Sequence, residues 1–74
     1  MDANEVERFI KGLVKKHDKD FSIGLKYKSN NGKVRKRHGR FMQLKEGFEL
    51  VLYNAEKETE GRYLLDRIVD IKKR

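Results

Sequence analysis

The residues of this chain best suited to chemistry are cations, and they are crowded together. Lys26, Lys28, Lys33, Arg35, Lys36, Arg37, His38 and Arg40 lie in one short stretch. Residues 21–45 carry eight Lys/Arg and no Asp/Glu, whereas residues 1–20 carry five of each and residues 46–74 carry six against seven. The formal net charge of +7 therefore resides in the central segment. A basic block this one-sided suits a polyanion, because spaced cations can follow a phosphate backbone. Lys26, Lys28, Lys33, Arg35, Lys36, Arg37 and Arg40 are accordingly the candidate nucleic-acid-binding residues. On a strand Lys33, Arg35 and Arg37 share one face, and Lys26 and Lys28 are expected beside them across a hairpin. Val34 is expected to be buried, which would turn Lys36 and His38, of the same parity, inward or past the rim. Tyr27 and Phe41 are candidate stacking platforms for bases. The competing reading puts both rings in the core, above all Tyr27, which is in phase with Phe21, Ile23 and Leu25. A solvated face that only keeps the chain soluble is the bland alternative to the whole site.

Catalysis finds no foothold. His17 and His38 have no cysteine and no acidic pair at metal-ligand spacing around them. Ser22, Ser29 and Thr59 sit in no nucleophile motif, and Asn30-Asn31-Gly32 is not a phosphate-cradling loop of the Walker type. The chain is read as a non-enzymatic binding module without cofactor or metal. Asp66-Arg67 is either an exposed site pair or an ion pair ordering a corner. Glu56, Glu58 and Glu60 form an acidic loop that reads first as a solvated segment, although it would repel phosphate and so confine a nucleic acid to the other side.

The elements that must position these residues are legible from periodicity. Val6, Phe9, Ile10, Leu13, Val14 and His17 form one stripe of a 3.6-residue repeat, which predicts a helix over about 3–17. Asp2 and Glu5 have capping-box spacing, and Lys15 and Lys16 suit the C-terminal end. Gly12 lies off the stripe, where it is either exposed or the point of close approach of a partner. Phe21, Ile23, Leu25 and Tyr27 then alternate with Ser22, Gly24, Lys26 and Lys28, a half-buried strand. Ser29-Asn30-Asn31-Gly32 is a turn signal, and the return strand runs from about 33 to 44. Phe41 has the opposite parity to Val34, Met42 and Leu44, so a bulge or bend at Gly39 is expected to reset the register. Lys45-Glu46-Gly47 makes a second turn. Phe48, Leu50 and Leu52 predict a third strand, with Ile23 and Leu50 buried and Lys26 and Glu49 exposed. Residues 54–61 read as a loop, 62–65 and 68–71 as two short strands, and Lys72-Lys73-Arg74 as a basic tail.

One domain over 1–74 follows, α+β and mainly β. Its amphipathic helix precedes a strongly bent, five-stranded antiparallel small barrel over about 21–72, closure of which removes exposed sheet edges. The element order resembles the Sm-like RNA-binding proteins. Gly39, Glu49-Leu50-Val51-Leu52-Tyr53-Asn54-Ala55 and Tyr63-Leu64-Leu65-Asp66-Arg67-Ile68-Val69-Asp70-Ile71 look like their bent strand and two conserved stretches. Gly47, Glu49 and Leu64-Leu65 stand where that family has its uridine-binding residues, so the resemblance implies a fold and not that pocket. Leu65-Asp66-Arg67-Ile68 and Leu25-Lys26-Tyr27 with Gly32 also resemble the WYL domain of bacterial regulators, which implies a ligand-sensing barrel, although Phe48-Glu49-Leu50 stands where that family has its Trp-Tyr-Leu and keeps only the Leu. Together these readings expect RNA slightly ahead of DNA. The rivals are an acidic protein surface or a sensed ligand. A monomer or dimer is expected rather than a ring, since close self-association brings like charges together. No apolar run approaches the ~18 residues of a membrane span, and the first residues lack the order of a signal peptide, so a cytoplasmic protein is expected.

Overall fold

The computed structural model describes all of residues 1–74. Helix α1 spans Ala3–His17. Five strands follow: β1 Ser22–Lys28, β2 Val34–Lys45, β3 Glu49–Asn54, β4 Thr59–Leu64 and β5 Ile68–Lys73. A 3-10 turn, Leu65–Arg67, joins the last two. The helix starts where the sequence demands. The Glu5 amide donates to Asp2 Oδ1 at 2.9 Å and the Asp2 amide to Glu5 Oε1 at 3.3 Å, a complete capping box. The helix ends at Asp18, which takes a positive φ of 56 and whose amide donates back to the Val14 carbonyl. This helix is not long and apolar enough to cross a membrane.

All strand pairs are antiparallel, in the order β4-β3-β2-β1-β5. The architecture is thus α+β and mainly β, a single helix against one five-stranded sheet. β4 and β5 form the two edges and share no ladder. β4 instead meets β1 outside any ladder: the Leu64 amide donates to the Tyr27 hydroxyl at 3.2 Å, and the Tyr27 and Tyr63 rings meet edge-on at 5.3 Å. α1 lays Val6, Ile10 and Leu13 against Ile23, Leu25, Leu50, Leu52, Leu65, Ile68 and Ile71. Each such side chain taken fully out of water contributes about 1.5–3 kcal/mol before chain entropy is set against it. Lys11 links the helix to the β2–β3 turn, 3.6 Å from Glu7 and 3.5 Å from Glu46, while Glu7 accepts from the Gly47 amide.

β2 bends because it pairs with β1 through Arg40 and with β3 from Arg40 onward. At Gly39 the neighbouring backbone comes so close that a Cβ would lie 2.7 Å from the Tyr53 carbonyl oxygen. Glycine is therefore required by the approach of β3, but the register shift itself is elsewhere. The extra residue falls between Phe41 and Gln43, at Met42, not at Gly39. Two further expectations need correcting. Phe48 precedes β3 and is 57% exposed. Glu49 is only 7% exposed, because β3 is flanked on both sides and Lys45, its ladder partner, covers it with Nζ 3.1 Å from the carboxylate. A buried carboxylate is tolerable when a cation neutralises it. Val51, on the same face, is likewise covered, lying between Gln43 and Arg62. Ile23 and Leu50 are buried and Lys26 is exposed, as the alternation predicts. The acidic loop is shorter than expected, since β4 already begins at Thr59. Nothing surrounds Gly12, so it is simply an exposed helical glycine.

Candidate nucleic-acid interface

The β1–β2 hairpin is set by its turn. Gly32 takes φ 83, its amide donates to the Ser29 carbonyl, and the Asn31 side chain accepts from the Lys33 amide at 3.1 Å. The Ser29 amide closes the loop on the Lys33 carbonyl at 2.9 Å. That closure pairs Lys28 with Val34, Lys26 with Lys36, Gly24 with His38 and Ser22 with Arg40. Residues directly opposite in an antiparallel ladder share a face. The face away from the core therefore carries Lys26, Lys28, Lys36, His38 and Arg40. Val34 lies on it too and is 52% exposed, so it does not draw Lys36 and His38 inward.

Arg35 and Arg37 have the other parity, opposite Tyr27 and Leu25, with Lys33 just before the strand. The expected common face of Lys33, Arg35 and Arg37 with Lys26 and Lys28 is thus corrected: the register divides them. Arg35 and Arg37 remain exposed because the hairpin tip reaches past the buried cluster. Arg37 donates to the Lys36 carbonyl at 2.9 Å and lies close enough to Tyr63 to oppose the upward push that burial gives that phenol.

β5 completes the outer face. It pairs Lys72 with Gly24 and Asp70 with Lys26, and the Arg74 amide donates to the Ser22 carbonyl at 2.9 Å. Lys72 and Arg74, read from sequence as part of a minor tail, therefore stand beside the hairpin cations. Gly24 forms the floor: a Cβ there would lie 3.1 Å from Arg74 Cδ, so the stem of Arg74 crosses the glycine. The result is a shallow hollow of about 410 Å³ lined by Lys26, Lys36, His38, Lys72 and Arg74, with Asp70 as its one acid and Arg37 also at its border. Sequence spacing gave only one hint of the last two cations, their alternation with Ile71.

Besides Lys26, whose ladder partner is Asp70, two of the cationic groups lie within ion-pair distance of an acid. Arg40 donates to Asp20 Oδ1 at 2.7 Å, and both side chains are well exposed. His38 Nε2 lies 3.6 Å from Glu56, an ion pair only when the imidazole is protonated. Exposed pairs of this kind are worth ~0–1 kcal/mol, so a phosphate can take over Arg40 at small loss.

The stacking candidates fare differently. Phe41 is 5% exposed and stacked on Phe21 at 4.8 Å, so it offers no ring face to a base. Tyr27 is half-buried on the core side, with its hydroxyl accepting from Leu64. Both rings belong to the competing core reading. Asp66 and Arg67 occupy the 3-10 turn without an ion pair between them. The outer face thus sets cations in a row across three adjacent strands. No protein-family model matches this chain, and neither the curated proteins nor the solved structures contain a significant match.

Proposed function

We propose that this chain is a non-enzymatic nucleic-acid-binding module, with RNA ahead of DNA, that neutralises the phosphate backbone across the outer face of β5, β1 and β2. The observation carrying this reading is the alignment of Lys26, Lys28, Lys36, Arg40, Lys72 and Arg74 on one face with Asp70 as the acid among them. Three adjacent strands present these cations at fixed spacing, the arrangement that positions a backbone without reading bases. The acidic residues Glu56, Glu58 and Glu60 bound it on the β3–β4 side, where they repel a strand that strays. The preference for RNA rests on the resemblance of the element order to Sm-like proteins. The bent sheet is read with it as a small barrel, supported by the Tyr27–Leu64 and Tyr27–Tyr63 contacts between β1 and β4.

The test is a titration of labelled single-stranded RNA, single-stranded DNA and duplex at 50 and 200 mM salt. With about five phosphates neutralised, log K should fall with log[salt] at a slope of about −3.5 for single strands and −4.5 for duplex. A salt-independent interaction contradicts the mechanism. Absence of binding at 50 mM salt, with retention on an acidic protein, gives the same face to a protein partner instead. Light scattering should return a monomer or dimer, since the cationic faces repel one another; a hexameric or heptameric mass overturns that expectation.

A further inference from the structure

A second hollow, of about 470 Å³, adjoins the first and shares His38 and Arg74 with it. Its wall includes Arg40, Tyr53, Asn54 and Glu56. Tyr53 pairs with Arg40 across the β2–β3 ladder and with Glu60 across β3–β4. It therefore shares the outer face with the cations. The six other aromatic side chains lie elsewhere. Phe21 and Phe41 are core, Tyr27 and Tyr63 pack on the core side, Phe9 belongs to the helix, and Phe48 precedes β3. Tyr53 keeps part of its ring in solvent, and its hydroxyl has no hydrogen bond within the chain. Its backbone is fixed where β3 presses on Gly39, 2.7 Å from the site a Cβ would occupy.

From this we infer that Tyr53 is a base-stacking platform at the end of the phosphate track, so that the interface takes single-stranded nucleic acid in preference to duplex. The inference rests on the nucleic-acid reading above and deepens it. An aromatic ring carried on a fixed backbone beside cations is what a single strand needs: Arg40 and Arg74 hold phosphates while an unpaired base lies on the ring. A duplex has its bases already stacked and gains nothing from Tyr53. Glu60, the ladder partner of Tyr53 on β4, repels the backbone and leaves that side to the base, while Glu56 stands within the hollow, 3.6 Å from His38.

The experiment uses the full chain and three probes of equal charge: a labelled oligouridylate of roughly twenty nucleotides, the same strand with abasic sugars, and a GC-rich duplex of equal phosphate count. The parent should bind the oligouridylate about five- to 150-fold more tightly than the abasic strand, one stacked base's worth. Tyr53→Leu should erase that difference while leaving the salt slope and the duplex affinity unchanged, and Tyr53→Phe should restore it. Equal binding of base-bearing and abasic strands by the parent overturns the platform without any variant being needed. So does a Tyr53→Leu protein that still discriminates, or one that loses duplex and single strand alike. If the parent binds none of the three, the nucleic-acid reading falls and the platform with it. If it binds all three equally, only the platform falls.

Discussion

Both faces of the β1–β2 hairpin carry cations, more of them on the outer face, and what surrounds the two sets differs. On the outer face Lys26 and Lys36 are ladder partners, and β5 adds Lys72 and Arg74 beside them, so charge is continuous over three strands. On the inner face Arg35 and Arg37 stand opposite Tyr27 and Leu25, at the tip of a sheet whose remaining inner surface is core. A cation next to another strand's cations extends a track; a cation next to the core rim ends one. The comparison teaches that local charge density does not define a continuous cationic face. Pairing to a strand distant in sequence does.

The largest expected effect contrasts the two faces directly. Replacing Lys26, Lys36 and Lys72 together by Gln should weaken single-strand binding at 50 mM salt by about two to three orders of magnitude and flatten the salt slope by about two units. Replacing Lys33, Arg35 and Arg37 by Gln should do distinctly less. Titration of both triple variants measures this, and an inner-face variant that loses as much as the outer one removes the distinction.

Next in size is the bend on which both faces depend. Gly39→Ala forces a methyl group against the Tyr53 carbonyl and Leu52, an overpacking expected to remove about 1–3 kcal/mol of stability. Denaturant unfolding reads it, and an unchanged midpoint with unchanged slope means β3 does not press on β2 there. Gly12→Ala has the opposite sign. In open helix surface it should add about 1 kcal/mol and leave affinity alone, which separates stability from binding.

Smaller again is Asp20→Asn. It frees Arg40 from its ion pair, and affinity should rise by no more than about fivefold. A fall in affinity would show that the pair positions Arg40 and does not compete with phosphate. The smallest effect belongs to the inner face. Burial raises the Tyr63 phenol above its usual 10.0, with Arg37 partly opposing and Tyr27 adding. The folded state therefore resists deprotonation more than the unfolded chain does. Its contribution is complete below the unfolded value near 10 and is lost as pH climbs through the higher folded one. Tyr63→Phe should flatten stability against pH in that alkaline window, and Arg37→Gln should steepen it; pH-dependent melting distinguishes them.

What the sequence determined by itself were properties carried by neighbours along the chain. The 3.6-residue stripe, the Asp2–Glu5 cap and the alternation through Ile23 and Leu25 needed only local geometry, and so did the turn at Gly32. Helix α1 and the hairpin duly stand where they were read. The concentration of charge in residues 21–45 was equally plain. Tertiary structure decided the rest, because it depends on which backbones lie side by side. The parity of Val34, Lys36 and Arg37 was settled by the register that the Ser29–Lys33 closure imposes, and one residue of slip moves every side chain to the other face. Glu49 is buried because β3 has neighbours on both sides, a fact absent from its own alternation. Lys72, Arg74 and Tyr53 join the cationic face only because β5 pairs with β1 and β3 with β2, contacts between residues some 13 to 52 positions apart.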